Sequence, residues 1–524
     1  MTPDAPPARK RSLLGVAGLV GVATLLSKFV GLLREIVVAA AFGVSGQVDA
    51  FAIAYKLPAF LLILLGGVNG PFYSAVVSVV AKQERSHTAR LMETINTLVA
   101  LALGLVAVGL WWGAPLIVGV LGFGADPTVK AQAVELLRIM SPVAFFAGLI
   151  GLGFGVLTAA DRYLLPSLSP ILSSGASILA VWFYAQTYGP LVLAWGVLGG
   201  AILQWLVQLP WQWQLGLGTL RPRWEWKNPE VRRVFDLMGP ATLSSALSSV
   251  NVYIHVFFAS QLATGVIGAV DYANRLIQTP LGILSNILLI PALPLFSRLA
   301  GQADPTELRL RVRQAVLGVV IVVLPLSALT LALAQPLVSV VYERGQFGRA
   351  DVQLVAEIFW GYGLGMVFYL ARDLLIRVFY ALGDAQTPLR VSLIGIGLNL
   401  FLDWLLIQFF GAMGISLATS GVSVLGCLVL VIVLRQRLGG LGWRELGRTC
   451  LILAVGAVPV GAAAGYGFAW FQQVWPVTGT LPMLLKVAGA GGLGLLIEGL
   501  WLWLWRIPEV NDLLARLRRS KTPA

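Results

Sequence analysis

Residues 13–41 are apolar for long enough to cross a bilayer, yet they carry Lys28, Arg34 and Glu35 near the middle of the run. About 20 apolar residues suffice to span the hydrocarbon. A charge at that depth costs about 2.5–3.5 kcal/mol on insertion scales, so it faces a polar cavity or another charge rather than lipid. Lys28 and Glu35 are seven positions apart and share a face of an unbroken helix. Arg34 lies about 120° from Lys28, and Gly31 between them offers a bend that would bring all three together. A structural Lys28–Glu35 pair is the plainer alternative; a large internal cavity is the arrangement that tolerates three charges.

Apolar runs of this length recur along all 524 residues, which are 58% apolar and only 12% charged. That charged fraction is about half the usual soluble value. The sequence therefore predicts an all-α polytopic membrane protein with about fourteen transmembrane helices. The first run is too long for the h-region of a signal peptide and reads as a retained span. The net charge of +13 does not imply nucleic acid, because the basic residues sit in short loops between spans. Counted with the N-terminus inside, about 26 Lys and Arg fall on the inner side against about 3 outside, as the positive-inside rule requires. Both termini are then cytoplasmic, and residues 507–521 read as a basic amphipathic helix on the inner leaflet. Cys427 and Cys450 offer neither a disulfide framework nor metal-ligand spacing.

The chain also repeats itself. VDAFAIAYKLPAFLL (48–62) is echoed by VDYANRLIQTPLGIL (270–284), which aligns Asp49 with Asp271 and Pro58 with Pro280. TAADRYLLP (158–166) is echoed at the same offset of 222 by YALGDAQTP (380–388). An offset of six spans makes the repeats parallel, as in transporters built from two similar lobes. The predicted organisation is two pseudo-symmetric six-helix lobes, 1–222 and 223–440, followed by two additional spans and a basic tail at 441–524. A cavity between the lobes would be lined by the first, second, seventh and eighth spans. Prolines and glycines interrupt the second and eighth, which is tolerated where a span lines a cavity. Lys28, Arg34, Lys56 and Arg275, with Asn274 beside it, outweigh Glu35 and Asp49, so the cavity would suit an anion. Guanidinium groups match phosphate best.

The segments SKFVGLLREIVVAAAFG, VDAFAIAYKLP, YANRLIQTPLGIL, YERGQFGRAD and FYALGDAQTP, spread over most of the chain, resemble the MurJ (MviN) family of lipid II flippases. That family lies within the multidrug/oligosaccharidyl-lipid/polysaccharide exporter superfamily. The resemblance implies a bacterial inner-membrane protein that carries an undecaprenyl-pyrophosphate-linked glycopeptide, lipid II, from the inner to the outer leaflet. Membrane lipids and the cell-wall synthesis machinery are its implied partners, and no cofactor or nucleic acid is expected. By the same resemblance Arg34 and Arg275 handle the pyrophosphate, with Lys28 where an arginine is usual and Glu35 where an aspartate is usual. Asp49 and Lys56 match the family pattern, with Glu35 and Asp49 as gating partners. The last two spans correspond to a groove for the lipid tail. Leu62, Ile63 and Gly67 depart from the family where arginines and an acid are common, and Gln278 stands at a position often acidic. A paralogue carrying another polyprenyl-linked glycan is the alternative these departures raise.

Asn399 and Asp403, four apart on the eleventh span, share a helix face. The resemblance makes them a monovalent cation site together with Thr419, while His255 stands where the seventh span would supply an acid. A proton relay between Asp403 and His255 is the sharper expectation, since an imidazolium contributes nothing to sodium. A polar pair locking two helices is the alternative. Proton, sodium and membrane potential all remain open as the driving force. A cation-coupled multidrug exporter would want an acidic, aromatic cavity, and this one is basic. A membrane transferase would need catalytic acids or histidines at an aqueous face; the chain has two histidines, His87 and His255, and short outer loops.

Overall fold

The computed structural model describes residues 13–67, 70–80, 85–218, 221–248, 250–302, 304–439, 442–477 and 479–505; the tail helix expected at 507–521 lies outside them. The chain is all-helical and forms two compact units, Met1–Ser260 and Gln261–Ala524. In the first, α1 (Leu13–Phe42), α2 (Gly46–Leu64), α3 (Pro71–Val80), α4 (Arg85–Leu121) and α5 (Pro127–Met140) are followed by α6 (Val143–Ala159), α7 (Leu164–Tyr188), α8 (Leu191–Gln214), α9 (Pro229–Ser248) and α10 (Val250–Ala259). In the second, α11 (Val266–Leu288), α12 (Ala292–Ala300), α13 (Thr306–Ala332), α14 (Ala334–Tyr342) and α15 (Arg349–Ala381) precede α16 (Gln386–Phe410), α17 (Ala412–Leu438), α18 (Trp443–Val474) and α19 (Thr480–Trp505).

Ten of these helices are long and apolar enough to cross a membrane, and twelve spans result if the bent pairs α5/α6 and α11/α12 each count once among the described residues. Both pairs bend by 40°, at Ser141–Pro142 and at Leu289–Pro291. Proline removes a helix hydrogen bond and clashes with the preceding turn, which places the bends there. α1, with 30 residues and about 45 Å of length, and the α9–α10 segment occupy the other two of the fourteen segments expected from sequence.

The first unit is organised around α6, which packs against α2, α3, α4 and α8, while α1 lies along α7. Gly151 makes the α2 contact possible: a Cβ there would sit 1.8 Å from the Leu65 carbonyl oxygen. Beneath it Leu65, Val76, Ile95, Leu152, Val156 and Met238 form a buried core that also takes in α9. α4 turns Leu101, Leu105, Val108, Trp112 and Leu116 outward, a three-and-four spacing that makes one apolar stripe for lipid. In the second unit α15 is central, packed by α11, α12, α13, α14 and α17; α16 lies on α17, and α18 on α13 and α19.

The duplication extends to the backbone. α7 and α16 have the same bounds once shifted by 222, and so do the start of α5 with that of α15 and the end of α6 with that of α15. Left-handed residues recur at the same offset: Gly43 with Gly265, Asp161 with Gly383, and Gly189 with Gly411. Such residues redirect the chain at positive φ where a helix ends or, at Gly265, where one begins.

Candidate functional site

In the first unit α1 runs as one helix through Gly31, and of the three charges it brings Arg34 and Glu35 together while Lys28 is not part of that pair. Arg34 Nη2 lies 2.6 Å from Glu35 Oε1, and each side chain is only 16% exposed. Tyr55, on α2, completes this pair by a side-chain hydrogen bond with Arg34, and its own ring stacks on Phe51 with centroids 5.1 Å apart. A buried ion pair of this kind is held by its extra hydrogen bonds, since desolvation offsets much of the Coulomb attraction. Lys28, seven positions before Glu35, is exposed and makes no hydrogen bond or ion pair among the described residues. Asp49 is buried in the first turn of α2, and Lys56, about two turns before the end of that helix, is half-buried two residues ahead of Pro58. His255 is half-buried on α10.

In the second unit Asp271 and Asn274 are half-buried on α11, while Arg275 is exposed. Gln278, at the position where an acid is common in the family, shares a side-chain hydrogen bond with Tyr369 of α15. The first turns of α11 are fixed by an aromatic cluster: Tyr272 meets Tyr342 and Phe347 at 5.2 and 5.7 Å between centroids.

A second polar cluster forms deeper in this unit. The buried residues of α16 are Pro388, Asn399 and Asp403, so the points at which this helix enters the protein are polar. Asp403 is fully buried and Asn399 nearly so. Tyr362 of α15 shares a hydrogen bond with Thr419 of α17 and senses the charges of both Asp271 and Asp403. Thr419 Oγ1 donates to the Ile415 carbonyl at 3.1 Å, and the Asn399 Oδ1 atom has no hydrogen-bond partner among the described residues. An orphaned amide oxygen beside a buried carboxylate, a hydroxyl and a phenol makes an oxygen-rich set, which fits a hard monovalent cation or a proton. Among the described residues no three His, Cys, Asp or Glu side chains converge on a metal site.

The sequence-predicted residues thus form two groups, Arg34 with Glu35 and Asn399 with Asp403 and Thr419. Tyr55 and Tyr362 are the members that sequence reasoning missed. Tyr55 lies beside Lys56, already singled out, whereas nothing in the sequence pointed to Tyr362, which sits among the glycines of 361–365; a tyrosine in a span reads as an interfacial residue until its partner helix is known.

The family model described as lipid II flippase MurJ matches residues 38–486. The chain is 44% identical to a probable lipid II flippase MurJ of Synechocystis sp., over 97% of its own length and 97% of the relative's. It is 31% identical to lipid II flippase MurJ of Burkholderia cenocepacia, over 82% and 84% of the two chains. A solved lipid II flippase MurJ in an inward closed conformation aligns with a TM-score of 0.76 at 21% identity, covering 95% of this chain and 99% of that one. An inward-facing MATE multidrug resistance transporter aligns with a TM-score of 0.60 at 13% identity, covering 81% and 98%. These two structural likenesses concern the fold.

Proposed function

Because the chain belongs to the MurJ family of lipid II flippases, we propose that its intramembrane charges serve the transport of that lipid, Arg34 and Arg275 acting on the pyrophosphate with Lys28 and Lys56 in support. The protein is a transporter and not an enzyme, and its cargo is lipid II, the lipid-linked peptidoglycan precursor. The observation that supports the clamp is the Arg34–Glu35–Tyr55 arrangement: a guanidinium held in place within a span, with its carboxylate partner on the adjacent residue. A pyrophosphate is a stronger bidentate acceptor than a lone carboxylate, so Arg34 can exchange one for the other as the cargo enters. Glu35 and Asp49 then restrain the cations between cycles, and Asn274 offers a neutral amide to the same anion.

Transport from the inner to the outer leaflet by alternating access, with both termini cytoplasmic, follows from the same reading. Asn399, Asp403, Thr419 and Tyr362 would hold a coupling cation or proton, which supplies a charge that favours one packing of α16 over another. His255 is the candidate proton partner. Gln278 in place of an acid removes one negative group, which leaves the binding face more cationic.

The test is growth rescue of a cell depleted of its own lipid II flippase. Wild type restores growth; Arg275→Ala and the double variant Arg34→Ala/Glu35→Ala, which leaves no orphaned charge in the span, do not, although both insert in the membrane. Asp403→Asn slows rescue without abolishing it. Full rescue by the arginine variants would overturn the clamp.

A further inference from the structure

A cavity of about 840 Å³ opens in the first unit between the start of α4 and the segment that connects α8 to α9. The proposed mechanism does not use it. Trp224, Glu225 and Trp226 line it, in a segment where burial alternates: Arg223 and Glu225 are half-buried, whereas Trp224 and Trp226 are exposed, at 69% and 44%. Arg223 accounts for this alternation. Its backbone N–H donates to Thr97 Oγ1 at 3.1 Å, its Nε to Glu93 Oε2 at 3.2 Å and its Nη1 to Glu225 Oε1 at 2.9 Å. The connection is thereby strapped to α4, and both indoles are turned away from it. Trp226 is further fixed by Phe235, with ring centroids 5.4 Å apart.

The remaining walls are polar and equally fixed. Asn228 accepts the Glu230 N–H at 2.9 Å and so caps α9, whose first residue is Pro229. Glu230 Oε2 lies 3.4 Å from His87 Nε2 across the cavity, and Lys227 closes its rim. The site therefore combines two exposed indole faces with an amide, two carboxylates, an ammonium and an imidazole, on a scaffold that is already ordered. Its volume is in the range of small-molecule sites, about 300–1,000 Å³.

The geometry points to a saccharide-binding site, which receives the glycan headgroup of the cargo before it enters the membrane path. This rests on the flippase reading for the identity of the cargo. The chemistry selects the ligand class in three steps. An indole face carries negative charge density and pairs with the slightly positive C–H face of a pyranose ring. Carboxylate and amide oxygens at the edge of that stack accept hydroxyl and N-acetyl hydrogens. Two glutamates among the lining residues disfavour a phosphate, which is instead the ligand of the intramembrane cations. A bilayer surface also takes tryptophan, but the carboxylates of Glu225 and Glu230 and the charge of Lys227 around the same opening oppose its burial in acyl chains.

Saturation-transfer NMR on the full-length, detergent-purified protein with N,N′-diacetylchitobiose as the soluble probe tests this. Saturation passes from aromatic protein protons to the ring C–H and N-acetyl protons of the sugar, and the Trp224→Ala and Trp226→Ala variants each weaken binding about tenfold. Trp112→Ala, which removes an equally exposed indole on the lipid face of α4, and Arg275→Ala both retain the wild-type signal. The latter separates this proposal from the cationic clamp, because sugar binding that persists while Arg275→Ala sustains growth would overturn the clamp alone. No transfer to the sugar with folded wild type, or transfer unchanged in both Trp224 and Trp226 variants, would overturn the site. Quenching of Trp224 by brominated acyl chains in reconstituted vesicles would assign the indoles to the bilayer and overturn it equally.

Discussion

A single carboxylate, Asp384, ties together the end of α15, the start of α16 and the last turn of α17. Its backbone N–H donates to the Phe379 carbonyl at 2.9 Å. Its Oδ1 accepts the N–H groups of Gln386 and Thr387, both at 3.0 Å, and its Oδ2 accepts the Thr387 hydroxyl at 2.5 Å and lies 2.7 Å from Arg437 Nη2. The Thr387 hydrogen bonds first, and the Arg437 charge with them, hold this carboxyl below the usual carboxylate range. Asp384→Ala should lower the thermal unfolding midpoint in detergent by the loss of about 1 kcal/mol of capping, the exposed ion pair adding at most about as much. A folded-state pKa below the unfolded value means that this stabilisation is complete above the unfolded aspartate value of about 4 and is lost as pH falls through the folded one. The gap between wild type and variant should hold from pH 8 to 5 and close in acid; a gap that persists undiminished in strong acid would contradict the assignment. At this scale the charges were legible in sequence, because a lysine or arginine inside an apolar run has few places to go. Their partners were not: Arg34 is completed by a tyrosine on another helix, and Thr419 shares a hydrogen bond with Tyr362, which senses the charge of Asp403. Both contacts depend on helix rotation, which spacing along one strand of sequence does not specify.

Helices approach closely in this protein where small residues recur every four positions, since lipid offers no hydrophobic drive to helix association. Gly361 and Gly365 of α15 face Ser416 and Ser420 of α17, and Ser420 Oγ donates to the Gly361 carbonyl at 2.7 Å. A Cβ at Gly365 would lie 2.6 Å from the Ser420 Cα, a backbone atom that cannot turn aside. Gly365→Ala should therefore cost at least the 1–3 kcal/mol typical of overpacking, ~2 kcal/mol as a central value. Gly397→Ala in α16, which meets nothing within 4 Å, should stabilise by about 1 kcal/mol from helix propensity. Unfolding midpoints of the two variants that move in the same direction would refute the packing argument. Element positions followed well from apolar run length. Interruptions followed less well: Pro142 bends the α5/α6 pair by 40°, whereas Leu364 at the equivalent position leaves α15 unbroken. Prolines and glycines were both expected to interrupt the second span; Pro58 stays within α2, and the break falls among the glycines that follow.

For the molecule as a whole, the distribution of Lys and Arg among loops is the strongest guide to orientation. In a variant with Cys427 and Cys450 replaced, Gln346→Cys should react with a membrane-impermeant maleimide in intact spheroplasts, and Gln302→Cys only after lysis; both positions are exposed. The reverse pattern would invert the topology and place the tryptophan-lined cavity outside. Fold class and duplication were legible in the sequence from a handful of matched residues, Asp49 with Asp271 and Pro58 with Pro280. The boundaries of the compact units were not, because α9 packs on α3 and α4 and so falls with the first unit; packing across an apolar surface leaves no mark in composition.

The matched left-handed residues carry a consequence of their own. Gly43 and Gly189 are 146 positions apart, and so are Gly265 and Gly411. Within those windows the halves have diverged freely, with Pro142 where Leu364 stands and Asp161 where Gly383 stands, yet no net residue has been gained or lost. A bilayer of fixed thickness is a ruler: an added residue rotates everything beyond it by about 100° and displaces it by about 1.5 Å, whereas an altered side chain is a local matter. Insertions and deletions, not substitutions, are the changes that this architecture has refused.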